Sequence, residues 1–142
     1  MDRAALDVAL QLGMPCGGWC PKGRRAEDGP IAPRYPLRET PSEEYEQRTA
    51  WNVRDSDGTL ILTRGKPTGG TAMTAACAKQ HGKPCLVLDV DRRPTAPTVR
   101  AWVTRHRIRV LNVAGPRESK CPGISEAARS FLQRVVVPRR RR

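Results

Sequence analysis

Aromatic side chains are scarce in this chain, with three tryptophans, two tyrosines and one phenylalanine among 142 residues. Proteins that hold single-stranded nucleic acid by stacking interleave aromatics with basic residues, and that pattern is missing. The two histidines, His81 and His106, stand apart from one another and read as surface residues. There is no Ser-His-Asp ordering and no helix with paired carboxylates, so the usual arrangements for nucleophilic or general acid–base catalysis are lacking. No catalytic residue is assigned. Long apolar runs are absent too. Nothing approaches the ~20 residues that a bilayer requires, and the first residues do not resemble a secretion signal, so no membrane partner is expected.

Cysteine is present without a pattern. Five scattered cysteines, an odd number, favour reduced thiols and a cytoplasmic location. Cys16 and Cys20 lie four apart with no second matching pair, which is too little for a zinc site. No metal ligand is assigned. Acids are outnumbered, 14 against 26 lysines and arginines, for a net charge of +12. Four of those charges form the terminal run Arg139 to Arg142, expected to be part of a disordered, solvated tail at 138–142. The remaining basic balance suits nucleic acid and a phosphate-bearing small molecule equally; a nucleic-acid role would rest on charge alone. The length suits one domain, residues 1–137, able to bury a core without disulfides.

What the chain does have is a stretch from Thr59 to Ala76, TLILTRGKPTGGTAMTAA. Its short apolar run, entered through Ser56-Asp57-Gly58, predicts a buried parallel strand. The run empties into Gly65, Pro67, Gly69 and Gly70, and Thr71 opens a small-residue helix. Strand, glycine loop and helix N-terminus together build an anion site, because unpaired N–H groups point outward where the helix dipole favours negative charge. An ordinary strand-to-helix turn would look similar, and neither the Walker spacing nor the dinucleotide fingerprint is complete.

Taken in order, residues 2–12 predict a helix ending at Gly13, with no strand ahead of it. Residues 15–20 predict a short strand, and 21–41 a long proline-rich loop carrying Lys22, Arg24, Arg25 and Asp28. Ser42 is positioned as the N-cap of a helix running to about Arg54. After the central strand, helices are expected at 71–80, 98–106 and 123–137, and strands at 85–90 and 108–114. Strands alternate with helices, which predicts a doubly wound, mainly parallel sheet with helices on both faces. Ligands of such sheets sit beyond the carboxyl ends of the strands. Two glycine-bearing loops at strand ends, TRGKPTGGT and AGPRES, are therefore expected along one edge. The candidate binding residues are Thr63, Gly65, Thr68, Gly69, Gly70 and Thr71 from the first loop, and Gly115, Arg117, Glu118 and Ser119 from the second. Lys22 and Arg24 of the long loop are candidates to close over the ligand.

Several blocks, GGWCPKGRRAEDGPI, YEQRTAWNVRDSDGTLIL, TGGTAMT and LNVAGPRES followed by PGI, resemble the molybdenum carrier family, the molybdenum-cofactor carrier proteins. The resemblance spans nearly everything except the arginine tail. It implies a Rossmann-like fold related to the LONELY GUY-type phosphoribohydrolases and DNA-processing protein A. It also implies a homo-oligomer, a molybdenum cofactor (molybdopterin) or another phosphate-bearing ligand at the glycine loops, and molybdoenzymes or cofactor-synthesis proteins as partners. The phosphoribohydrolase relatives use a PGGxGTxxE pattern whose glutamate performs chemistry; Pro67 to Thr74 has no acid there, which favours a binder over a hydrolase. Family members also begin with a strand and glycine loop, roughly GGQTGVDRAALD, whereas this chain starts at Met1-Asp2-Arg3 where the family has valine. The expectation is that the first strand and loop are missing; an in-frame upstream sequence encoding them would mark a misplaced start.

Overall fold

The computed structural model describes residues 2–26 and 28–136; the expected tail at 138–142 lies outside them. At its centre, β3 (Gly58–Thr63) is buried at all six positions. It pairs in parallel with β4 (Cys85–Asp89) on one side and with β5 (Leu111–Ala114) on the other. Strands at a sheet's middle bury both faces, so the run Thr59-Leu60-Ile61-Leu62 has no polar alternation. Leu60 and Leu62 face one layer, formed by α1 (Asp2–Gln11), α4 (Ala96–Arg105) and α5 (Ile124–Val136), where they pack with Ala4, Val8, Val99, Phe131 and Leu132. The other layer is α2 (Tyr45–Arg54) and α3 (Gly69–Gln80). Crossovers β3–α3–β4 and β4–α4–β5 thus run on opposite faces, and strand order reverses at β3. This is the α/β, Rossmann-like doubly wound arrangement that the alternation of elements predicts, with no strand ahead of α1 among the described residues.

Boundaries moved for local reasons. Helix α2 starts at Tyr45 with Glu44 as N-cap; Ser42 does not cap it, since its hydroxyl accepts the Glu44 N–H at 3.0 Å in a turn of its own. Helix α3 begins at Gly69, two residues before Thr71, with Thr68 at the N-cap. That change places both adjacent glycines inside the first helical turn. The expected strand at 15–20 shrinks to β1 (Trp19–Cys20), which pairs in parallel with β2 (Arg38–Glu39) as a separate two-stranded sheet. The Asn52 side-chain amide stands in for a strand partner of Trp19, accepting its N–H at 2.9 Å and donating to its carbonyl at 3.1 Å. Gly18, at φ +136, lets this happen: a Cβ there would lie 3.1 Å from Asn52 Oδ1.

Polar struts fix the connections. Lys83 Nζ donates to the carbonyls of Val53, Arg54 and Ser56, closing the C-terminal end of α2 where the dipole favours a cation. Asp57, expected as a turn former, accepts the N–H groups of Arg109 and Val110, both at 2.9 Å. In the long loop, the Arg24 guanidinium donates to the carbonyls of Ile31, Ala32, Tyr35 and Leu37. One planar fork therefore gathers four backbone acceptors and ties residues 31–37 to Arg24 without regular structure.

Replacing Arg24 by alanine should destabilise the protein by about 2–4 kcal/mol, because the loop carbonyls lose their donors. Hydrogen exchange and limited proteolysis should localise the change to residues 21–41, and lysine should not rescue it, lacking the fork. Asp55 gives a pH signature. Its carboxylate accepts hydrogen bonds from Arg54 and from Trp19 Nε1, holding its pKa at about 2 against an ordinary 3.8. A depressed carboxylate contributes stability that is complete above the ordinary value and lost as pH falls toward the folded one. Between pH 4 and 2 the melting temperature of Asp55→Asn should therefore decline less steeply than that of the wild type.

Candidate functional site

The carboxyl ends of β3 and β5 open into a cavity of about 620 Å³, within the range of small-molecule sites. It lies where strand order reverses, the place where open α/β sheets bind ligands. The β3 and β5 strand ends contribute Thr63 and Ala114, the start of α3 contributes Thr68, Gly70 and Thr71, and the β5–α5 connection contributes Gly115, Arg117 and Glu118. The long loop, α1 and α2 complete the lining.

Of the candidates read from the sequence, Thr63, Thr68, Gly70, Thr71, Gly115, Arg117 and Glu118 line this cavity, while Gly65, Gly69, Ser119, Lys22 and Arg24 do not. The geometry gives most of the latter other roles. Gly65, at φ +69, donates its N–H to Asp89 Oδ2 at 2.9 Å and so ties the β3–α3 loop to the end of β4. Gly69, at φ +53, supplies the backbone bend that leads into α3. Lys22 sits on an exposed 3₁₀ turn. Arg24 is spent on the loop carbonyls, and its neighbour Arg25 lines the cavity instead. Arg24 holds a positive φ of 55.

The helix start keeps its anion-binding character. Thr68 provides no side-chain cap to α3, so the N–H groups of the first turn are not consumed by its hydroxyl. A Cβ on Gly70 would meet nothing within 4 Å; no packing contact demands glycine here, and the space in front of it belongs to the cavity. By contrast, the start of α5 is already occupied. Glu118 accepts from Gly123 N at 2.5 Å and from Ser125 N at 3.1 Å, and these two bonds hold its pKa below the ordinary value. Its job is to fix the β5–α5 loop, so that Arg117 rather than Glu118 is presented to a ligand.

Charge in the cavity is one-sided. Eight lysine and arginine side chains line it against three carboxylates. Each carboxylate is engaged: Asp28 with Arg3 at 2.6 Å, Asp7 with the Tyr35 hydroxyl at 2.6 Å and Arg129 at 3.3 Å, and Glu118 as above. Arg64 donates to the Pro122 carbonyl at 2.6 Å and to Asp91 at 3.2 Å, tying three strand-end loops together. Sequence reasoning missed one feature entirely. The Tyr45 ring has the guanidinium carbons of Arg117, Arg25 and Arg48 at 4.5, 4.9 and 5.5 Å from its centroid, and all four residues line the cavity. Each such contact contributes about 0.5–1 kcal/mol. Only the Tyr45–Arg48 spacing, one helical turn, is local; the other two arginines arrive through the tertiary fold. With cations abundant and the lining carboxylates of the described residues committed, the arrangement is suited to holding an anion.

Comparison with known proteins agrees with the Rossmann-like fold. A solved structure from Syntrophus aciditrophicus SB, named "Putative molybdenum carrier protein", is 46% identical and superposes with a TM-score of 0.92, over 96% of this chain and 88% of that one. No curated protein matches. Residues 1–136 match the circularly permutated YpsA SLOG family, and this chain belongs to that family.

Proposed function

We propose that the protein binds a phosphate-bearing pterin, a molybdenum-cofactor type of molecule, in the strand-end cavity and carries it unchanged. The observation that supports this most is the pairing, in one cavity, of an uncapped glycine turn at a helix start with an excess of cationic side chains. Phosphate would sit at the Gly70 N–H group and the Thr68 hydroxyl, where the α3 dipole favours a dianion. Arg117 would pair with further oxygens through its fork. A pterin offers donor and acceptor edges, and Asn112 in the lining can answer both. The name of the Syntrophus relative is consistent with such cargo. Engagement of Asp7, Asp28 and Glu118 by their own partners leaves the lining poorly supplied with a base, which favours storage or transfer over hydrolysis.

Mass spectrometry of the purified full-length protein, with fluorescence of the oxidised pterin, tests the reading. A co-purifying pterin phosphate is expected. Gly70→Asp should lower its occupancy at least tenfold, since a carboxylate would stand at the anion position, while the melting temperature shifts little because Gly70 is exposed with open space at its Cβ. Incubation with nucleoside monophosphates should release no base. Base release, lost on Gly70→Asp, would overturn the carrier reading in favour of a nucleotide hydrolase.

A further inference from the structure

We infer that residues 105–109, at the opposite edge of the sheet, form a docking strip for the phosphate backbone of duplex nucleic acid. This surface is independent of the strand-end cavity and of its cargo.

The strip lies where α4 has ended and β5 has not yet begun, at the amino ends of the strands. The cavity opens at the carboxyl ends of the same strands, and β3 spans about 20 Å from one edge to the other. None of Arg105, His106, Arg107 and Arg109 lines the cavity, and all four are exposed. The backbone beneath them is fixed. Ile108 is 8% exposed and lies over Gly58, where a Cβ would come within 2.5 Å of its Cδ1. Its N–H donates to the Val103 carbonyl at 3.0 Å, and Arg109 N and Val110 N donate to Asp57 Oδ2, both at 2.9 Å. Ile108 turned inward leaves Arg107 and Arg109 exposed on either side of it, their Cα atoms no more than about 7 Å apart.

Among the described residues, Arg105, Arg107 and Arg109 make no ion pair. Asp57, the acid held against the segment, is committed to backbone N–H groups. The α4 dipole favours a cation in the last helical turn, which accounts for Arg105. Arg107 and Arg109 lie beyond the helix and have no such reason. Arg107 also holds φ +53, in the left-handed region that a helix end ordinarily gives to glycine. A strained backbone thus displays a guanidinium that no carboxylate of the described residues answers.

The counter-charges that fit this strip are oxyanions in a row. Guanidinium forks match phosphate oxygens, and a nucleic-acid strand presents phosphates at regular spacing. Trp102, the nearest large ring, is half-buried against the core, so the strip has no platform for unstacked bases and suits duplex backbone. Val110, 54% exposed, is the one large apolar side chain beside it, too little to anchor in lipid.

Fluorescence anisotropy of the full chain with a short labelled DNA duplex, repeated over a series of salt concentrations, tests the assignment. Log affinity should fall linearly with log salt. In Arg105→Gln/Arg107→Gln/Arg109→Gln the slope should become shallower by about 2.7, the release expected from three phosphate contacts, and binding at low salt should weaken about tenfold or more. Arg38→Gln/Arg92→Gln/Arg93→Gln removes equal charge elsewhere and should keep the wild-type slope. All six arginines are exposed, so thermal melts should show both variants folded. Glutamine in place of Arg139 to Arg142 should lower affinity and leave the effect of the strip substitutions in place. Gly70→Asp should bind DNA as the wild type does, whatever becomes of the cavity's own ligand. Equal losses in the two triple variants, or no loss in the strip variant, would overturn the strip. Loss in Gly70→Asp with none in the strip variant would overturn it as well, by moving the polyanion to the cavity. Sedimentation with phosphatidylserine vesicles that depends on the strip arginines, without duplex binding, would assign the surface to membranes instead.

Discussion

The pairing of β3 with a neighbour on each side is the constraint on which the remaining structure depends. A strand that gives up hydrogen bonds to both flanks and side chains to both faces has no solvent-facing position, and Gly58–Thr63 is buried along its whole length, Thr59 and Thr63 included. Because β4 and β5 lie on opposite sides of it, right-handed crossovers have to leave on opposite faces. Loops at the carboxyl ends of β3 and β5 then part, and the space between them becomes the cavity. The site is thus a by-product of strand order, filled in afterwards by side chains.

Polar residues around that rim divide into struts and presenters. Arg24, Arg64, Asp89 and Glu118 spend their hydrogen bonds on backbone groups, Arg64 also on Asp91, converting irregular loops into fixed walls. Gly70, Arg117 and Arg25 are left facing the cavity. A carboxylate that caps a helix start, as Glu118 caps α5, removes one anion site while steadying another. Two helix starts at the same sheet edge therefore differ in function: α5 is closed by the protein's own acid, and α3 is open.

Much of this was legible in the residues. The apolar run at Thr59 to Leu62, the turn at Asp57 and the glycine-bearing loops each carry a local signal, and the topology of an alternating α/β chain places those loops together. What escaped was non-local. The β1–β2 pair has two-residue strands, and its stability comes from an Asn52 amide more than thirty residues away. Arg24 was read as a ligand contact because charge in a long loop suggests function; four carbonyls of the same loop claim it first. Tyr45 opens one of the family-like blocks but gives no local sign of a binding role, and the arginines around it meet only once three elements have docked.

The central claim is that an anionic small molecule is held between the start of α3 and the loop after β5. Crystallography of the protein with a pterin phosphate tests this directly. The account predicts density against the Gly70 N–H group and the Thr68 hydroxyl with Arg117 turned onto the ligand. Density confined to the outer surface around Trp19 and Arg38, with the strand-end cavity holding solvent alone, would contradict it.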